Sequence, residues 1–426
     1  MKGEAKSPKR GIFLPMVPFN AAVSAISTLV PLSILSLGGS VIDVGLASVA
    51  YNLALIPAPL IWGYICDVTG SRKKVMTFAS VLLLAASLSM YLSDSIGTVV
   101  FAYAAIAHAT GMITPSLNLL LIESIPKAEW DRGYTTLSWY STVGSVTGLA
   151  AGMAWELFFP LNSFLIPCAL FAVACVGLTI ALTKDPVMTI ERRTLLLNPQ
   201  VFVSRLTQLP VLFVRLPRLA DFRSLLRMTK EELTRDLPII VMSSVLFSAS
   251  LNVFFATYTP YLKVNRLTNW EVYLTSLYVG VMNGVASRFV LGRLKGSVTP
   301  FIASGALAIR ALGMLLAAVM AIFVFGQATL YTTLVTFTLL GLAYTIITVN
   351  LNSLFFRALP AGKQGGLLGV YSAFNGIALF LGSLASGYIS FYLGYSMTFF
   401  VAAMLVFLSA SVLQAHFGGS PPPQEE

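Results

Sequence analysis

Twelve apolar runs, each long enough to cross a bilayer as a helix, fill residues 12–183 and 238–416 of this chain. A crossing needs roughly 20 apolar residues to span the ~30 Å hydrocarbon layer, and inside it every backbone polar group must be satisfied within the segment. A chain patterned this way is predicted to be all-α and polytopic, with its charges held in the segments between runs. Composition agrees: 57% of the 426 residues are hydrophobic and 10% are charged, where soluble globular proteins carry about 25% charge. A soluble enzyme, a disordered chain and a nucleic-acid-binding domain are all excluded.

The formal charge of +10 gains meaning from where the charges lie. With a cytoplasmic N-terminus, 23 of the 27 Lys and Arg fall in cytoplasmic segments. Only Lys263 and Arg266 fall outside, while Arg288 and Arg310 sit within runs. The positive-inside rule therefore predicts a multi-pass cell-membrane protein with both termini cytoplasmic. Pro15, Pro18 and Asn20 interrupt the first run, which is read as a membrane helix and not a cleaved signal. The expected organisation is a six-helix bundle over 1–183, a central cytoplasmic loop over 184–236, a second six-helix bundle over 237–417 and a flexible tail over 418–426. The central loop interleaves Arg205, Arg215, Arg218, Arg223 and Arg227 with apolar residues, a pattern suited to lying on the inner leaflet, or else to a regulatory partner. Three cysteines in apolar runs and two histidines provide neither a disulfide framework nor a metal site.

The two sets of runs repeat each other. A shift of 234 lays Ile113, Thr114, Leu117, Asn118, Leu120 and Pro126 on Ile347, Thr348, Leu351, Asn352, Leu354 and Pro360, and Gly148 on Gly382. A shift of 229 lays Pro31 on Pro260 and Gly63 on Gly292. Two pseudo-symmetric six-helix bundles follow, an arrangement that places a solute site at mid-depth between the halves in many secondary transporters.

After the second run the chain reads Gly63-Tyr-Ile-Cys-Asp67-Val-Thr-Gly70-Ser-Arg72-Lys73-Lys74. The glycines permit close helix approach and a tight turn. Asp67, near a helix end, can accept hydrogen bonds from a neighbouring helix N-terminus, where the dipole favours an anion. This loop resembles the Gly-x-x-x-Asp-x-x-Gly-x-Arg-Lys/Arg signature of the major facilitator superfamily. Pro126 with Arg132-Gly133, the two halves and the long central loop are similar to that family as well. The resemblance implies a gate in which Gly63, Asp67, Gly70, Arg72 and Lys73 help lock the cytoplasmic side, with Glu123 a partner for Arg72 or Arg132. In the second half Gly296 replaces the acid, so such a lock is one-sided. Gly144-x-x-x-Gly148-x-x-x-Gly152 partly resembles the family's antiporter signature, with Leu149 and Met153 departing from it; as a small-residue stripe it predicts close helix packing.

No Gly-x-x-x-x-Gly-Lys-Ser/Thr occurs, so no ATPase is built in and none of its subunits is implied; transport runs on an ion or solute gradient, with no cofactor. The carboxylates Asp43, Asp67, Asp94, Glu123, Glu156 and Glu271 all lie near run ends, which leaves His108 as the candidate proton site if protons are coupled. Arg288 is read either as snorkelling to the cytoplasm or as an anion-binding group, since its surroundings resemble a segment of monocarboxylate and oxalate-type carriers. Arg310 is expected to turn inward to backbone carbonyls or polar side chains. The cavity candidates are Asn20, Tyr51, Asn52, Asn118, Trp139, Tyr140, Asn252, Tyr258, Asn283, Arg288, Asn350, Asn352, Tyr371 and Asn375, amides and aromatics suited to a small, partly apolar solute. The expected function is transport of a small organic solute, an organic anion such as a monocarboxylate being favoured, by a monomer in the lipid bilayer. A proton-coupled exporter of lipophilic compounds and a non-transporting receptor are the alternatives.

Overall fold

The apolar runs fold into helices whose ends are set by proline, glycine and side-chain caps. The structure is a computed structural model describing residues 10–124, 130–183, 185, 236–293, 299–359 and 364–417. The first half comprises α1 (Met16–Ser36), α2 (Val41–Leu55), α3 (Ala58–Thr69), α4 (Arg72–Tyr91), α5 (Ile96–Ser124), α6 (Trp130–Trp155) and α7 (Leu165–Leu182). The second comprises α8 (Leu237–Val264), α9 (Asn269–Arg293), α10 (Pro300–Phe323), α11 (Ala328–Ala358) and α12 (Gln364–Phe417). Among the described residues these make twelve crossings. α2 and α3 form one, interrupted at Ile56–Pro57, where proline cannot donate a backbone hydrogen bond. α12 forms two, folded back at Gly394 with φ 85° and ψ 166°.

Two of the end-of-run carboxylates turn out to be helix caps. Ser40 and Asp43 form a reciprocal capping box that starts α2. Glu271 accepts both the backbone N–H and the hydroxyl of Thr268, at 2.6 Å each, at the start of α9. Connections at 37–40, 92–95, 156–160, 265–268, 324–327 and Gly394 gather at what we term the short-loop end. Arg72–Lys74 and the C-terminal ends of α5, α7, α9 and α11 mark the opposite, basic end.

The repeat is visible in the packing. Gly148 on α6 lies against the backbone of Ala21 on α1, and its sequence equivalent Gly382 on α12 lies against the backbone of Ala249 on α8. A methyl group at either glycine would strike its neighbour's carbonyl oxygen. Each half is thus built round the same glycine-mediated crossing.

Candidate functional site

The halves meet along two seams. In one, α2 packs on α12; in the other, α6 packs on α9. Gly45 of α2 sits so close to Gly387 and Ser383 of α12 that an added Cβ would lie 3.0 Å from the Gly387 Cα. Lower on the same seam, Asn52 donates to Ser383 Oγ at 3.0 Å, and Gly376 faces Ile56. On the other, the Tyr273 ring covers Gly152 and its hydroxyl donates to the Ala25 carbonyl at 3.1 Å. Just past α6, Glu156 accepts from Asn269 Nδ2 at 3.1 Å, and Lys263 donates to Asn269 Oδ1 at 2.9 Å. Burial raises the Glu156 pKa from its ordinary value; the Asn269 hydrogen bond and the Lys263 charge oppose that shift. These contacts run from mid-depth to the short-loop end, which is therefore sealed.

Behind this seal lies a cavity of about 410 Å³ shared by the halves. Ser24, Ser27, Thr28, Ser48, Tyr103 and Ser145 line it from the first half, and Asn252, Tyr258, Thr259, Thr275 and Ser276 from the second. Phe255, Phe337, Leu149 and Val279 supply apolar wall. Its described lining carries hydroxyls and one amide, that of Asn252, but no formal charge, so it can hydrogen-bond a solute without imposing a sign.

The sequence-derived candidates fall into distinct places. Asn252 and Tyr258 line the cavity, anchored by hydrogen bonds to the Leu379 carbonyl (2.9 Å) and Thr333 (3.1 Å). Tyr51 packs on the lining residue Tyr103 with the rings tilted, centroids 4.5 Å apart, and Asn52 joins the halves. Asn352, Tyr371 and Asn375 come together: Tyr371 donates to Asn352 at 3.2 Å, and Asn375 Oδ1 accepts from Ser244 at 3.0 Å and Ser248 at 2.7 Å. Others are used locally. Asn20 and Asn350 donate to carbonyls one turn back, Met16 and Ile346, and Tyr140 packs by Phe13 and Leu121. Asn118 is half-buried on α5, Asn283 has a buried Oδ1 without a partner, and Trp139 is 61% exposed. His108 Nε2 accepts the Trp62 indole N–H at 2.9 Å, in an aromatic group that includes Phe78. His108 follows Tyr103 by five positions on α5, about 140° round the helix from that lining residue.

In the signature loop, Gly70 ends α3 in the left-handed conformation at φ 66°, as the tight turn requires, and Gly63 faces Pro115 of α5. Arg72 is buried. Lys73 is engaged within its own half: Nζ donates to the Ile180 carbonyl of α7 at 2.6 Å, and its backbone N–H donates to Asp185 at 2.8 Å. The side chains of Asp67, Glu123, Arg132 and Arg288, and the loop expected over 184–236 apart from Asp185 and Asp236, lie outside the described residues. Arg310 turns inward as expected, with Nη1 donating to the Leu340 carbonyl at 2.7 Å.

Sequence reasoning misses the cavity hydroxyls, although Ser24, Ser27 and Thr28 recur on one face of an otherwise apolar helix, which is the signal for them. Asp185, which places a negative charge at the α4 N-terminus, has no local pattern because it arrives from the end of α7.

Residues 13–365 match the family model described as Major Facilitator Superfamily. No curated protein matches the chain in sequence. Among solved structures, the nucleoside transporter NupG is similar with TM-score 0.71 and 14% identity, over 96% of this chain and 99% of that one. A mutant of the peptide transporter POT in complex with alafosfalin gives 0.69 and 13%, over 97% and 95%. A D-xylose-proton symporter gives 0.68 and 15%, over 95% of each.

Proposed function

The chain belongs to the Major Facilitator Superfamily and is a multi-pass, non-enzymatic transporter of the secondary or facilitative type, and we propose that it carries a small organic solute, an organic anion in the favoured reading, by alternating access. The observation that carries this reading is the cavity of about 410 Å³ lined by both halves and closed at the short-loop end by glycine contacts between them. Rocking about mid-depth would part Gly45 from Gly387 and Tyr273 from Gly152, and open the same cavity to the other face. The distribution of Lys and Arg supports a cytoplasmic basic end, and a monomer in the cell membrane is part of the same proposal. Asp67, with Arg72 and Arg132, is proposed to help close that end. Asp67→Asn should then raise labelling, from the cytoplasmic side, of a cysteine introduced at the cavity residue Ser276, and unchanged labelling rejects the gate.

Export of a lipophilic compound, coupled to protons, is the second reading, favoured by the uncharged cavity with Tyr103, Phe255, Tyr258 and Phe337 in its wall. Counterflow in proteoliposomes, with and without a pH gradient, separates the readings. Carriers exchange labelled for unlabelled solute and receptors do not; stimulation of lipophilic but not anionic solutes by the gradient favours the exporter.

A further inference from the structure

Arg310 is wholly buried halfway along α10, and its guanidinium reaches the gap between α8 and α11. Three rings surround it, with centroids 5.4 Å (Phe247), 5.8 Å (Phe255) and 5.6 Å (Tyr344) from Cζ. Nη1 is used by the Leu340 carbonyl, whereas Nε and Nη2 are buried and have no hydrogen-bond partner. Those two nitrogens share one edge of the guanidinium. Their N–H bonds run parallel at the spacing of the two oxygens of a carboxylate, the geometry of bidentate recognition. The bond to Leu340 fixes the plane of the group and leaves this edge unused.

Depth makes the unused edge significant. An ionised side chain at mid-membrane is among the costliest placements, and such residues ordinarily find a counter-charge. The other buried charged side chains among the described residues are Arg72 and Glu271, both in first turns at helix ends. Aromatic faces attract the cation, but they do not satisfy its N–H groups. One ring links this site to the cavity: Phe255 lines the cavity and also covers Arg310.

We propose that the Nε/Nη2 edge of Arg310 binds the carboxylate of the transported solute, reached from the central cavity when Phe255 swings aside. This rests on the carrier reading above and narrows the cargo to solutes bearing a carboxylate. It also reconciles an uncharged cavity with an anionic cargo, because the cation is held one ring behind the wall.

The test is thermal stabilisation of the purified full chain by acetate, lactate and benzoate at matched ionic strength. Each is set beside its neutral amide, with chloride as the inorganic anion. At least one carboxylate should bind where its amide does not. Arg310→Gln should weaken that binding about tenfold or more, and Arg310→Lys by less, since a lysine keeps the charge but loses the fork. Phe255→Ala should strengthen it about threefold by removing the cover. Carboxylates and amides binding alike, chloride matching the carboxylates, no carboxylate binding, or full affinity in Arg310→Gln would each overturn the site. Should Arg310→Gln fail to fold, Phe255→Ala decides, because the arginine is intact there: unchanged or weaker binding refutes the proposal. Counterflow keeps the two claims apart. Exchange of a neutral sugar or nucleoside without carboxylate binding removes this site and leaves the carrier, whereas carboxylate binding without exchange of any solute does the reverse.

Discussion

Gly148→Ala adds one methyl group where α1 and α6 cross. The new carbon would lie 2.6 Å from the Ala21 carbonyl carbon and 2.7 Å from its Cα, with the carbonyl oxygen closer still. Overpacking ordinarily costs ~1–3 kcal/mol, and the upper figure applies here because the obstacle is a neighbouring backbone and not a flexible side chain. Alanine returns about 1 kcal/mol of helix propensity over glycine. The expected net loss is therefore ~2 kcal/mol. Gly177 on α7 has open space around it, with nothing within 4 Å of the position a methyl would take, so Gly177→Ala should keep the propensity gain and melt slightly higher than wild type. Gly382→Ala belongs in between, since the carbonyl carbon and Cα of Ala249 stand off at 3.2 and 3.3 Å. The assay follows from the cysteines. Cys66, Cys168 and Cys175 are buried and not in disulfides, so a fluorogenic maleimide reports unfolding in detergent. If Gly148→Ala melts as high as Gly177→Ala, the glycine-mediated crossing does not constrain the packing of α1 on α6.

The seams give three further predictions. Because the Glu156 pKa is raised by burial, the sealed state is favoured in full below the ordinary carboxylate range and loses that contribution as pH rises through the raised value. Labelling of a Ser276→Cys cavity probe from the short-loop end, normalised to the unfolded chain at each pH, should thus increase with pH, and Glu156→Gln should flatten the trend; an unaltered slope in Glu156→Gln counts against it. Gly45→Val pushes against the Gly387 and Ser383 backbone, and at ~1–2 kcal/mol should shift the population several-fold away from the sealed form, read as faster labelling of the same probe. Tyr273→Phe removes the hydroxyl bond to Ala25 of α1 and should weaken the hold of α9 on the first half by ~1 kcal/mol with little change in ring packing; labelling equal to wild type would show that the bond carries no closure energy.

Architecture is legible in the sequence because the bilayer imposes one-dimensional rules. Run length sets the crossings, Pro57 and Gly394 set the breaks, and the 234-residue shift points to the Gly148 and Gly382 contacts without sight of their neighbours. Side-chain chemistry is less so. Amides stand out as cavity candidates because they are polar in apolar runs, yet Asn20 and Asn350 return their donors to their own helices. The serines and threonines that line the cavity look ordinary, since a hydroxyl can be satisfied one turn back and carries little hydropathy signal. His108 illustrates the limit most clearly. A titrating residue in the middle of a run suggests function, but the rotation of α5 and the position of Trp62 decide what it meets, and both are tertiary facts.

The duplicated halves have kept their scaffold and diverged in chemistry. Gly148 and Gly382 hold equivalent crossings, but the equivalents of Ser244, Ser248 and Arg310 differ, and only the second half carries the Tyr371–Asn375 hydrogen-bond cluster and a buried mid-depth cation among the described residues. Symmetric scaffolds let either end of the cavity close by the same kind of helix contact, which alternating access requires. On the proposed carrier cycle, asymmetric polar groups would let one half hold the solute more tightly while the other moves over it. On that division of labour, substitutions at first-half hydroxyls such as Ser24 and Ser145 should alter exchange rate more than affinity. Substitutions in the second-half cluster, Asn375→Leu for example, should alter affinity more than rate. Concentration dependence of counterflow in the two classes of variant measures this directly, and a pattern in which both classes change affinity equally would mean that the solute is shared evenly between the halves.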